Sequence, residues 1–421
     1  MKELFPARDS LANKISYYHL LLFMASLPFD RFYSHLILIS FTLHTLIQLN
    51  RQHIQPVFTW RTLLLESVFF ITVLSTLYSI NKPEGFNEWG KQITILLFPV
   101  VLCFNGLDLK KYRESLLLGF SLVLTGTIAY LYLTAFYTIN YYNIPFLALF
   151  TTAFINHNFS EPIDMHATFL SMQVALALVY LFSIVIKERI LFYKIFYAAC
   201  IFILFAGLMQ LCSKSVFFCL FVVINIAVPL FLLKNKARRN FILITASVSV
   251  IAIAGMLRSA TFRERYITDL HADLTEEIMG ESTESRLTRW QAVGELIEKA
   301  PVIGYGAGSE LGLLQDTFFQ KKYYDSFLHK LNAHSEYLSL LLKSGIVGLL
   351  VYLVTLTAGF KAALQRKDLL FFTFMLLVAV VSVSENVLDV DKGIIFYAFF
   401  FSFFVFTSDN HKEHLSHQNI T

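Results

Sequence analysis

Twelve stretches of this chain stay apolar for sixteen or more residues, and no other feature restricts its fold so strongly. They lie near residues 12 to 29, 32 to 49, 62 to 80, 91 to 106, 115 to 137, 165 to 186, 193 to 213, 215 to 233, 240 to 257, 335 to 360, 369 to 387 and 392 to 408. A helix rises about 1.5 Å per residue and a bilayer core is about 30 Å thick, so segments of roughly this length span it. The remaining composition points the same way. Charged residues make up 15% of the chain and hydrophobic residues 56%, whereas an ordinary soluble domain is about 25% charged. A compact soluble fold has too little interior to hide that much apolar side chain, which requires lipid as a second solvent. A soluble enzyme is therefore excluded.

The fold class is thus an all-α polytopic membrane protein of about 12 transmembrane helices. Lys and Arg outnumber Asp and Glu by only 34 to 30, a surplus too small to argue for a nucleic-acid partner. Their positions say more. With the N-terminus inside, 19 basic residues fall on the inner side and five in the short outer loops, the bias expected of cytoplasmic segments. Lys2, Arg8 and Lys14 precede a first apolar stretch that lacks a small-x-small cleavage pattern, so it is read as a retained helix. Cys103, Cys200, Cys212 and Cys219 all fall in or beside apolar runs, so no disulfide is expected.

The domain plan that follows is an N-terminal bundle of nine spans over residues 1–257, an extracytoplasmic helical cap over 258–334, three C-terminal spans over 335–408 and a cytoplasmic tail at 409–421. The cap is the one extended segment of soluble composition. Within it Leu287, Trp290, Val293, Leu296 and Ile297 recur at helical spacing, and Pro301 ends that helix. Gly304, Gly306 and Gly308 read as a flexible turn, and a second amphipathic stretch runs from Glu310 to Lys330.

Chemistry on the outer side has few candidates. Arg286 and Arg289 stand three apart on one helix flank, where two guanidinium forks suit a phosphate or pyrophosphate. A solvated flank paired with Glu284 explains the same spacing, and spacing alone favours it. Lys214 occupies a tight outer turn, Cys212-Ser213-Lys214-Ser215, against the inside bias; snorkelling to the surface and a site role weigh equally there. His334 follows Asn332, a plausible N-cap, which puts the imidazole in the first turn of the tenth span. The dipole there keeps the ring neutral and the exposed amides suit an anion, against the alternative of an interfacial histidine without a role. Lys343 lies two turns beyond Glu336 and reads as a structural charge contact. His411, His414 and His417 read as a solvated tail. Walker, HExxH and GxSxG patterns are absent.

Ser285-Arg286-Leu287-x-x-Trp290, then Ala300-Pro301-Val302-Ile303-Gly304-Tyr305-Gly306-Ala307-Gly308, then Ala333-His334-Ser335-Glu336-Tyr337-Leu338 and Gly345-Ile346-Val347-Gly348-Leu349 resemble the shared domain of O-antigen ligases and O-antigen polymerases. The likeness extends over roughly residues 205 to 408. It implies a metal-independent inverting glycosyltransferase, without a cofactor, that uses an undecaprenyl-diphosphate-linked glycan donor on the periplasmic face of the bacterial inner membrane. The implied acceptors are a hydroxyl of lipid A-core, of another lipid-linked glycan, or of a protein. By the same resemblance His334 matches the histidine that activates the acceptor hydroxyl, Arg286 the arginine that binds the diphosphate, and Lys214 a basic residue of the outer turn. Arg289 adds a further diphosphate contact. Two positions depart from the pattern: Lys214 stands for an arginine and loses its fork, and the usual His-Asn pair is His334-Ser335.

The residues suit that chemistry. Displacement at an anomeric carbon needs a base for the incoming hydroxyl and positive charge where the diphosphate leaves. A polymerase of the same family is the nearest alternative. A polytopic transporter of lipid-linked glycan is the alternative from another class; its expected signs, ionisable residues deep in the spans or paired broken helices, are sparse here, with Glu66 and Lys343 as the clear intramembrane charges.

Overall fold

The computed structural model describes residues 9–49, 55, 57–258, 260–273, 275 and 284–407. Lys2, Arg8, Arg51, part of the expected cap and the 409–421 tail with its three histidines lie outside the described residues. Among those described there is no strand. Fourteen helices carry the fold: α1 (Leu11–Ser26), α2 (Arg31–Ile47), α3 (Trp60–Leu77), α4 (Lys82–Phe104), α5 (Leu109–Tyr141), α6 (Ala167–Lys187), α7 (Leu191–Leu211), α8 (Lys214–Leu232), α9 (Asn235–Arg258), α10 (Arg286–Lys299), α11 (Glu310–Lys321), α12 (Glu336–Gln365), α13 (Leu369–Val381) and α14 (Asp391–Thr407).

Each of the twelve apolar stretches falls on one of these helices. Seven of them, α3, α5, α6, α7, α8, α9 and α12, are long and apolar enough to cross a membrane, and α13 is a shorter apolar helix. The chain is thus a multi-pass helical membrane protein. Side-chain caps begin many helices: Asp30 accepts from the Phe32 amide, Asp108 from those of Lys110 and Lys111, and Asp368 from that of Phe371. Each cap satisfies donors that a helix start leaves open. Two helices form the centre. α6 is buried on every face from Ala167 to Leu181, and α14 from Gly393 to Phe404, where a run of phenylalanines packs against α4. Apolar surface all round a helix means burial all round.

The tenth apolar stretch departs from expectation. Instead of one continuous span, α12 is broken at Gly345 (φ 61°, ψ −162°), leaving a short first piece from Glu336 to Ser344. The break leaves backbone groups without helical partners, and the 301–306 turn takes them up. Tyr305 N–H donates to Leu342 O at 2.9 Å, Gly306 N–H to Lys343 O at 2.7 Å, and Ile346 N–H to Pro301 O at 2.9 Å. Contact is close enough that a Cβ on Gly304 would sit 2.5 Å from the Leu342 carbonyl oxygen, and one on Gly345 would run into the Val302 carbonyl. The glycine turn expected to be flexible is therefore a clamp. Its small residues serve close backbone approach rather than freedom of motion.

The cap helix α10 forms where the periodicity places it. Ser285 Oγ accepts from the Thr288 amide at 3.1 Å, and Val293 and Leu296 are buried with Leu314 and Phe318 of α11 against Ala333 and Leu342. The second amphipathic stretch divides in two: α11 stops at Lys321, Lys322 takes a left-handed backbone (φ 62°), and a single turn follows at Tyr324–Leu328.

Candidate functional site

Residues 382–390 connect α13 to α14 and form the hub of the site. Their sequence, Ser-Val-Ser-Glu-Asn-Val-Leu-Asp-Val, is polar where the apolar stretch around it was expected to continue to residue 387. α13 ends at Val381 because Ser382, Ser384, Glu385 and Asn386 find partners outside the helix. Two expected site residues, Arg286 and His334, and the sequence neighbour of a third approach this loop from three elements. Arg286, the first residue of α10, donates from Nη1 to Ser384 O at 3.2 Å. Ser215, next to the half-buried Lys214 at the start of α8, places its hydroxyl 3.2 Å from that of Ser384. His334, just before α12, brings Nδ1 to 3.6 Å from Glu385 Oε2, ion-pair range rather than hydrogen-bond length.

The placement of His334 differs from the one expected. Asn332 does not cap the helix; its Oδ1 accepts from the His334 amide at 3.0 Å instead, and α12 begins two residues later with Ser335 as its N-cap. His334 precedes the helix in a left-handed backbone (φ 46°). The dipole argument for a neutral ring therefore loses its geometric basis, since the imidazole is not in the first turn. Nor is the first amide open to an anion: Glu336 N–H donates to Ser382 O at 2.9 Å and Glu385 O at 3.2 Å. The ring's neighbour is a carboxylate.

Glu385 was not foreseen. It is buried, and burial alone raises a carboxyl pKa; the nearby His334, His166 and Arg286 nevertheless hold it below its ordinary value. Its other oxygen accepts from Thr168 Oγ1 at 3.4 Å. His166 caps α6 through the Thr168 amide at 3.3 Å and stacks edge-on with His157, ring centroids 4.3 Å apart. Burial lowers its pKa to about 4. The available signal was the polar Ser382–Asn386 run at the end of an apolar window, which marks a span that stops early.

The two arginines separate. Arg286 is half-buried beside the hub, whereas Arg289 is 6% exposed and sits on the buried face of α10 with Ala292, Val293 and Leu296. Glu284, the acid nearest them in sequence, accepts from the amide and hydroxyl of Ser326 at 2.9 and 2.8 Å. Trp290 of the same helix donates from Nε1 to Ala333 O at 2.9 Å, tying the cap to the residue before His334.

Behind the hub lies a buried charge cluster. Lys343 Nζ meets Asp389 Oδ1 at 2.5 Å and Glu88 Oε1 at 3.6 Å, so its structural reading holds through partners on other elements. Glu336, the partner its spacing implied, instead accepts from the Leu388 amide at 2.8 Å. Lys343 holds the Asp389 carboxyl, buried as it is, below its ordinary value, while burial and the nearby Asp389 charge raise that of Glu310. A cleft of about 210 Å³ opens beside this cluster, lined by Glu88, Lys91, Glu310, Lys330, Asn332 and Asp389 among others.

Residues 199–353, somewhat more than a third of the chain, match the model of a family described as O-antigen ligase. The matched segment contains Lys214, Arg286, Arg289 and His334; the 382–390 hub follows it. No curated protein matches the chain. The domain supports a ligase- or polymerase-type role in surface polysaccharide biosynthesis.

Proposed function

Taking the O-antigen ligase domain as premise, we propose that this protein transfers a glycan from an undecaprenyl-diphosphate-linked donor to an acceptor hydroxyl on the periplasmic face of the bacterial inner membrane. In this reading twelve spans with the N-terminus inside put the cap and the 382–390 hub on one outer side. The observation that carries the reading is the meeting of a histidine–carboxylate pair, His334 and Glu385, with Arg286 bonded to the adjacent Ser384 carbonyl.

In this mechanism His334 takes the proton of the acceptor hydroxyl as its oxygen attacks the anomeric carbon. The bond from that carbon to the diphosphate breaks, and the electron pair leaves on the diphosphate oxygen. Glu385 stabilises the imidazolium that results, as a carboxylate beside a catalytic histidine does. Arg286 and Lys214 face the charge that develops on the leaving group. Diphosphate leaves readily, so no general acid is needed. Burial of Arg289 argues for Arg286 as the primary diphosphate contact, with Arg289 supporting its helix.

Replacing His334 by Ala tests the mechanism in a strain lacking the native gene. Attached surface glycan is expected to disappear while the protein stays in the membrane; normal attachment would sink the reading. A ligase and a polymerase share this chemistry and differ in acceptor. A deletion strain with bare core and unligated polymer identifies a ligase, and single repeat units on the core identify a polymerase.

A further inference from the structure

His334 is held by what is done to its neighbours. Ala333 N–H donates to Glu310 Oε1 at 2.9 Å, and Ser335 N–H donates to Asn386 Oδ1 at 2.8 Å. These two acceptors are bonded to each other, since Asn386 Nδ2 donates to Glu310 Oε1 at 3.1 Å and to Asp389 Oδ2 at 2.8 Å. Ser339 Oγ reaches Glu310 Oε2 and Asp389 Oδ2, and Lys343 anchors the far side of Asp389. Glu310, Asn386, Ser335, Ser339 and Lys343 are all at most 5% exposed.

Such an arrangement has a job to do. A non-glycine residue at φ 46° sits in a region that costs about 1–2 kcal/mol, and it persists only where the surroundings determine it. Here both flanking amides are fixed by buried acceptors from α11 and the hub. Asn386 also follows Glu385 directly. One amide side chain therefore ties the backbone just after His334 to the backbone just after its carboxylate partner.

We infer that Asn386 and Glu310 are positioning residues that preset the His334–Glu385 pair. The inference rests on the proposed role of His334 in glycan transfer. The described contact of Arg286 is with Ser384 O rather than with Asn386 or Glu310, so loosening the clamp is expected to lower turnover more than donor binding. A merely structural role would lower the yield of folded protein and leave turnover per folded molecule alone.

The test uses the full chain in lipid vesicles, with Asn386→Asp and Glu310→Gln as near-isosteric variants. A synthetic undecaprenyl-diphosphate-linked saccharide serves as donor and lipid A-core as acceptor. Both variants are expected to lose about tenfold or more in kcat, with the donor KM unchanged within about twofold. The second readout needs no activity: modification of the His334 ring by diethyl pyrocarbonate, followed by mass spectrometry, is expected to speed up several-fold relative to the same ring in the wild-type protein. Unchanged kcat and unchanged His334 reactivity overturn the clamp, as does a loss confined to the amount of folded protein. If one variant fails to fold, the other carries the comparison. Transfer that survives His334→Ala overturns the functional reading instead, and the His334 labelling rate then still decides whether the clamp holds the ring.

Discussion

The imidazole of His334 and the carboxylate of Glu385 lie 3.6 Å apart across 51 positions of sequence. One stands before α12 and the other beyond the end of α13, so the pair exists only because the 382–390 loop folds back over the start of α12. The carboxylate is an acceptor facing a ring that must gain a proton during the reaction proposed.

Glu385→Gln is therefore expected to retain the fold and lose about tenfold or more of the transfer rate, because the amide no longer offsets the imidazolium charge. Turnover measured in vesicles beside the His334→Ala variant checks this. Wild-type turnover in Glu385→Gln would remove Glu385 from the mechanism.

Arg286 and Arg289 should respond differently. Arg286→Ala is expected to raise the donor KM, with Arg286→Lys in between because charge survives without the fork. Arg289→Ala should chiefly lower Tm, since it empties a buried place beside Ala292 and Val293. Kinetics and thermal unfolding of the same preparations tell the two apart, and equal effects on KM would contradict the division.

Lys343→Met leaves Asp389 and Glu88 buried without their cation. Breaking a buried pair by removing one partner costs about 3–5 kcal/mol. A large fall in Tm is expected, and the double variant with Asp389→Asn should recover part of it. No recovery would mean that the pair is not the source of the loss.

Gly345→Ala combines a strained positive-φ backbone with overlap on the Val302 carbonyl. A side chain in this positive-φ, extended conformation, essentially reserved for glycine, costs about 1–3 kcal/mol, and the overlap adds to it by pushing the 301–306 turn off α12. Reduced Tm and faster proteolysis near Gly304 are the expected signs; a variant as stable as the parent would show that the turn can move at little cost.

His166 predicts a pH dependence. Its pKa is near 4 in the folded protein, against 6.5 for an ordinary histidine. Between those values the unfolded chain binds a proton that the folded chain refuses, so stability falls as pH drops through that window and is fully present above it. His166→Asn keeps an N-capping acceptor, an amide oxygen in place of the ring nitrogen, and removes the titration. The Tm difference between pH 7 and pH 5 should shrink in that variant, and an unchanged difference would assign the acid sensitivity elsewhere.

Much of the architecture was legible because it rests on local composition. Each apolar stretch became a helix, α10 began at Arg286 with Ser285 as its cap, and the four basic and histidine candidates could be named from spacing and motif. Reading failed where a residue's role depends on a partner far along the chain. The segment to residue 387 looked apolar enough to continue α13, yet Ser382 accepts from the amide of Glu336 and Asn386 from that of Ser335, which ends the helix and builds the hub. The glycine run looked flexible because its neighbour, the break at Gly345, lies some forty residues on.

By itself the sequence determined the solvent, the helices and the cationic residues available to the candidate site, since hydropathy and charge act residue by residue. Only the tertiary structure decided that His334 stands before its helix, faces Glu385 and is gripped through Ala333 and Ser335 by Glu310 and Asn386. Those are directional contacts between buried groups, and their geometry is set by packing of elements that no local pattern relates.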